Sequence, residues 1–118
     1  MNVKPLSVKV KVWIEYKGKY VMGLGLYNLL SEIEKNQTIS KAAKLLQMSY
    51  KFAWNLIKRA EKGYGVKLVK SIKGGAKKGI TEVTAEGKRL LTLFEKIMTE
   101  INEIIKKYNT REIRAILE

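Results

Sequence analysis

The sequence predicts an α+β domain, mainly helical: a short β-segment first, then a run of helices, a glycine-tipped hairpin and one long final helix. Three patterns predict it. Apolar and polar residues alternate over residues 6–16, apolar residues recur every three or four positions from Leu26 onward, and a sustained heptad seam occupies residues 90–108. A chain of 118 residues has enough surface to bury for one modest core, so one structural unit is expected.

The first element, LSVKVKVWIEY at 6–16, places Val8, Val10, Val12 and Ile14 on one face, the period-2 pattern of a half-buried strand. Lys17-Gly18-Lys19 reads as a turn, and Tyr20–Met22 as a short returning strand that ends at Gly23 and Gly25, making the N-terminal element a strand or hairpin. Leu26, Leu29, Leu30 and Ile33 then fit one face of a first helix reaching about Lys35, closed by Asn36-Gln37-Thr38. Ser40 offers an N-cap hydroxyl to a second, short helix with Ala42, Ala43, Leu45 and Leu46 inward. After Gln47-Met48, Ser49 caps a third helix running to about Lys62. Two short helices joined by so few residues form a helix-turn-helix arrangement.

On a wheel at 100° per residue, Ala53, Leu56, Ile57 and Ala60 of the third helix gather on one side, with Lys51, Asn55, Lys58 and Lys62 opposite. Beyond Gly63-Tyr64-Gly65, residues 67–73 and 80–83 read as antiparallel strands around a tip, Gly74-Gly75-Ala76-Lys77-Lys78-Gly79. A hairpin with such a tip can follow a groove and hold phosphates, as a wing does. Thr84 caps a last helix from about Ala85 to Tyr108, about 36 Å long at 1.5 Å per residue. Its seam, read as the dimer interface, is Leu90, Phe94, Ile97, Ile101, Ile104 and Tyr108, flanked by Leu91, Met98 and Ile105. So small a core is too short to cover this seam, and its distal half is expected to pack against a second chain. Residues 110–118 read as a short helical tail with Ile113, Ile116 and Leu117 as contacts. The expected organisation is residues 1–84 as a winged helix-turn-helix and 85–118 as a dimerisation helix and tail.

The charge is concentrated. Of the formal +13, residues 41–78 supply +10, with eleven Lys and Arg against Glu61 alone, whereas residues 79–118 are balanced. Unpaired like charge opposes compaction through self-repulsion, so its confinement to one segment points to a surface that meets a polyanion. Enzymatic chemistry is not expected. The chain has no Cys, His or Asp, which removes disulfides, thiolate nucleophiles, the usual transition-metal ligands and the common triads together. No cofactor or metal is implied. No stretch approaches the roughly 20 apolar residues of a membrane span, so a cytoplasmic protein without a membrane partner is expected.

Lys51, Asn55 and Lys58 are placed to meet base edges and phosphates, with Asn55 able to pair with adenine. Tyr50 can reach a phosphate or cover the turn. Trp54, at the boundary of the wheel, is expected to pack more than to touch a base. Ser40 and Ser49 are read as caps first and phosphate contacts second, next to Lys41. Lys73, Lys77 and Lys78 suit phosphate or the minor groove and should supply affinity and salt dependence rather than sequence selectivity.

The segments LSEIEKNQTISKAAKLLQMSYKFAWNLIKRAE, SIKGGAKKG and VTAEGKRLL, in this order, resemble the N-terminal DNA-binding domain of the ModE family of molybdate-responsive regulators, over residues from about 5 to 108. The resemblance implies a winged helix-turn-helix, DNA binding by the third helix and the wing, and dimerisation through the final helix. It places Ser49, Tyr50, Lys51 and Trp54 in the family's recognition-helix motif and Gly74, Gly75 and Lys77 in its glycine-rich wing. Full-length members carry a molybdate-binding C-terminal region that would begin beyond this chain, so molybdate sensing is not carried over.

The function expected is therefore a sequence-specific regulator binding double-stranded DNA as a homodimer, with any effector reaching it through a separate effector-sensing protein. Two other readings stay open. One is an architectural or chromatin protein with little sequence discrimination; the other is a winged-helix protein-interaction module with an acidic partner. An RNA target also stays open, although few aromatics are expected at the surface for stacking.

Overall fold

The second, third and fourth helices each begin where a hydroxyl accepts one of the first N–H groups, the first begins at Gly23 without a side-chain cap, and each of the first three ends on a left-handed residue or just before one. The computed structural model describes residues 6–75 and 79–109, and Lys77, Lys78 and the tail contacts Ile113, Ile116 and Leu117 lie outside them. Over the described residues the order is β1 (Ile14–Tyr16), β2 (Lys19–Met22), α1 (Leu24–Asn36), α2 (Ile39–Leu45), α3 (Tyr50–Tyr64), β3 (Val69–Ser71), β4 (Thr81–Val83) and α4 (Ala85–Lys107). The architecture is α+β and mainly helical, with two separate two-stranded antiparallel hairpins.

The N-terminal strand is shorter than its alternation predicts. Lys17 and Gly18, at φ 50° and 78°, make the two-residue turn whose twist suits a hairpin. That turn fixes the register Tyr16↔Lys19, Glu15↔Tyr20 and, after an irregularity, Ile14↔Met22. Gly23 then leaves the sheet to start α1, so β2 has no residues left to pair with positions 6–13. Those residues form no strand, and Leu6, Val8 and Val10 are exposed rather than half-buried. Asn109 fastens the segment's start to the far end of α4: its Nδ2 donates to the Val8 carbonyl and its Oδ1 accepts the Val8 N–H at 2.7 Å.

In α1 the expected face, Leu26, Leu29, Leu30 and Ile33, is fully buried. Gln37 ends the helix at φ 62°, its N–H donating to Ile33, and its carbonyl then accepts the N–H of Thr81 at 2.8 Å, which ties α1 to β4. The cap of α2 is Thr38, whose hydroxyl accepts the Lys41 N–H; Ser40 lies inside the helix and is exposed. Thr38 is three residues ahead of an N–H that needs an acceptor, whereas a cap at Ser40 would forfeit the first turn of a seven-residue helix. Ala42 and Ala43 fill the inward face of α2. Leu45, expected inside, is 60% exposed, because at the last position of α2 no neighbouring element covers it.

Ser49 caps α3 through the Phe52 N–H, and Gly65 closes that helix at φ 77°. Ala53, Ile57 and Ala60 are buried as the wheel requires, and Leu56 is half-buried against the core. The β3–β4 hairpin pairs Val69↔Val83 and Ser71↔Thr81, and the pairing runs on from Ile72 to Ile80. Thr84 joins the hairpin to α4. Its hydroxyl donates to the Lys67 carbonyl and accepts the Gly87 N–H, while its own N–H donates to Leu68. Leu90, Leu91 and Phe94 enter the core, and the Phe94 ring stacks on Tyr27 at 5.1 Å, so Leu90 and Phe94, expected at the dimer interface, are instead covered within the chain by the elements packed against α4. Burying side chains of this size contributes roughly 1.5–3 kcal/mol each. Farther along, the seam emerges from the core, and Ile104 and Tyr108 are exposed.

Candidate nucleic-acid interface

Ties between elements place the basic middle segment around one open groove of about 820 Å³. Its floor is Ile57 and Val69, where α3 meets β3. Ser40 and Lys41 line it from α2, Tyr50, Trp54 and Lys58 from α3, and Lys67, Lys70, Ser71 and Lys73 from the hairpin. Of the residues singled out by sequence, six therefore share one concavity. Lys51 and Asn55 are exposed on α3 outside that lining, Ser49 is at the helix start, and Gly74 and Gly75 stand at the hairpin tip. Both glycines have left-handed backbones, φ 91° and 69°, a turn that a side chain would strain.

Glu61 decides the electrostatics of this surface. The lone carboxylate of residues 41–78 is 7% exposed and turned away from solvent, where Oε2 accepts the N–H groups of Leu68 at 2.8 Å and Val69 at 3.3 Å. Its other oxygen takes the Lys58 ammonium at 3.1 Å, with Lys67 at 3.9 Å. Spending the carboxylate on Leu68 and Val69 fixes the start of the hairpin against α3, and of the groove's other cations Lys70 meets Glu82 at 3.9 Å. Lys58 is thereby oriented, and its ammonium also stands 5.4 Å from the Trp54 ring centroid.

Sequence reasoning missed several features here. Trp54, expected to pack, is 43% exposed in the groove, and Tyr50 and Phe52 are also exposed, so α3 presents more aromatic surface than expected. A wheel assigns Trp54 to a boundary but cannot tell whether a neighbouring element covers it. Lys67, Lys70 and Ser71 line the groove, although sequence reasoning counted only the charge of the two lysines and did not single out Ser71. Strand alternation offers part of the missing signal: Val69 and Ser71 share one face of β3, with Lys67 two residues ahead of Val69. Among the described residues, no group of three or more acidic side chains is gathered as a metal site would need, and no helix is long and apolar enough to cross a membrane.

No protein-family model matches the chain. Over 83 residues, 70% of its length, it is 30% identical to the molybdenum transport protein ModE of Azotobacter vinelandii. The chain is a distant homologue of the N-terminal region of ModE. The match spans 31% of that ModE protein, so the likeness concerns the part of ModE that a domain of this size can represent. A stretch of 83 residues with ModE-like sequence cannot fit within the helices alone or the hairpins alone, and must draw on both the groove-forming elements and their supports.

Proposed function

We propose that the chain is a sequence-specific, double-stranded DNA-binding regulator of the winged helix-turn-helix type, acting as a homodimer in the cytoplasm. In this reading residues 1–84 contact DNA and 85–118 hold the dimer together. α3 enters the major groove, with Lys51, Asn55 and Lys58 facing base edges and phosphates, and the β3–β4 hairpin lies along the backbone as a wing. Ser40, Lys41, Ser49, Tyr50 and Trp54 flank the helix entry, and Lys73, Gly74, Gly75, Lys77 and Lys78 belong to the wing. The observation that carries the reading is the groove between α3 and the hairpin, lined by cations from three elements while Glu61, the lone carboxylate of residues 41–78, is buried. The kinship with ModE supports a regulator rather than an enzyme.

Fluorescence anisotropy of a labelled mixed-sequence duplex, titrated at several salt concentrations, tests the reading. If six cations neutralise phosphates, log K should fall against log salt with a slope of about −5. Selection from a randomised duplex pool should then return a two-fold symmetric site. Uniform affinity for all duplexes would make it an architectural protein instead. Folded protein that ignores duplex at low salt would leave the basic groove as a docking site for an acidic protein and overturn the proposal.

A further inference from the structure

The C-terminal half of α3 carries a second basic surface that the wing groove does not use. Here the β1–β2 hairpin closes on the helix: a Cβ at Gly63 would lie 3.3 Å from the Tyr20 carbonyl oxygen, and the Arg59 guanidinium stands 5.7 Å from the Tyr20 ring centroid. Between hairpin and helix is an open cleft of about 660 Å³, with Lys11 and Lys19 on one wall and Arg59 and Lys62 on the other. Glu15 is the one carboxylate among the described residues lining it, and it accepts the Trp13 indole N–H at 2.8 Å. Among the described residues, Lys11, Lys19 and Lys62 take part in no ion pair.

This cleft is continuous with the proposed DNA-binding groove. A shallow depression of about 390 Å³ lies between them, sharing Lys58 and Lys67 with the wing groove and Lys62 with the hairpin cleft. Cations thus follow one another from β3 across α3 to the Lys17-Gly18-Lys19 turn. The chemistry of the cleft suits phosphate rather than bases. A stacking platform needs successive free rings, but Tyr20 already has Arg59 against its ring and its hydroxyl against Gly23, which leaves Trp13 alone.

We propose that the hairpin cleft is a second contact for the phosphate backbone of the same duplex, so that the footprint runs from the wing past α3 to the N-terminal hairpin. The proposal rests on the duplex-binding reading above. It is tested with the whole chain and a triple variant, K11Q/K19Q/K62Q, whose positions are exposed and lie outside the residues assigned to α3 recognition and the wing. Both proteins are titrated by anisotropy against mixed-sequence duplexes of about 12 base pairs, roughly one helical turn, and about 30 base pairs, roughly three turns, across a series of salt concentrations. On the long duplex the variant should lose about 2.7 from the magnitude of the salt slope, about 0.9 for each of three phosphates, and bind at least about tenfold more weakly. On the short duplex it should match the parent. Equal behaviour of variant and parent on the long duplex overturns the second contact while leaving the duplex-binding reading intact, and so does equal weakening on both lengths, which is a general loss of charge. A parent protein that binds neither duplex overturns both.

Discussion

Glu61 is held in a segment of eleven cations by bonds that no other side chain nearby can make. Its carboxylate serves the backbone N–H groups of Leu68 and Val69, where β3 begins, and the Lys58 ammonium from a site 7% exposed. Removing a buried acceptor leaves its donors unsatisfied, and hydrogen bonds to a charged group are worth about 1.5–3 kcal/mol each. Glu61→Ala is therefore expected to cost roughly 2–4 kcal/mol in urea unfolding, and Glu61→Gln, which keeps an acceptor oxygen, clearly less. A cost for the alanine below about 1 kcal/mol, in the range of an exposed pair, would mean that β3 is anchored by packing alone. Gly87 poses the opposite question, since alanine in a helix interior gains about 1 kcal/mol over glycine. Here a Cβ would sit 2.7 Å from both the Leu68 carbonyl oxygen and Val83 Cγ1. Backbone and a β-branched side chain cannot swing aside, and overpacking costs roughly 1–3 kcal/mol, so Gly87→Ala should lower the melting temperature despite its better helix propensity.

At the scale of elements, the proposed function gives α3 and the hairpin different tasks that separate substitutions should resolve. Asn55 is exposed on α3 away from the groove lining, where an amide can pair with a base edge. Asn55→Ala is expected to reduce discrimination between a selected site and mixed duplex by about 1–3 kcal/mol, with the salt slope unchanged. Lys73→Ala should do the reverse, weakening all duplexes alike and reducing the slope by about 0.9. Competition titrations distinguish the two, and a uniform loss in Asn55→Ala would remove it from base recognition. Much of this arrangement was legible because α1, α3 and α4 announce themselves by period, and Ser49 and Thr84 by the N–H groups three residues on. What period cannot report is whether a second surface exists to cover an apolar face. Val8 and Val10 alternate as a strand should but meet no partner once the Lys17-Gly18 turn and Gly23 have fixed the hairpin. Leu45 and Trp54 are exposed for the same kind of reason, and the choice of Thr38 over Ser40 as cap depended on where the last turn of α1 left the chain.

For the whole molecule, the unanswered demand is at the far end of α4. Leu90, Leu91 and Phe94 satisfy the proximal seam within the chain, whereas Ile104 is 56% and Tyr108 45% exposed. The Val8–Asn109 hydrogen bonds bring the N-terminal segment, with Leu6, Val8 and Val10 exposed, to this same end. Apolar surface gathered in one place on a single chain is what a self-complementary interface requires. The charge pattern agrees with it, because residues 79–118 are balanced and two copies can approach there without the repulsion that the middle segment would impose. The homodimer proposal therefore predicts sedimentation near 27 kDa, twice the 13.5 kDa of one chain. Ile104→Glu places a charge in the proposed seam at a position already exposed in the single chain, so it should shift the protein to 13.5 kDa with its helical circular dichroism retained. Loss of the dimer should also weaken binding to a two-fold symmetric duplex far more than binding to a half-site, since the second recognition helix is no longer tethered beside the first. Parent protein that sediments as one chain at micromolar concentration would assign this apolar end to a different partner and reduce the DNA target to a single half-site.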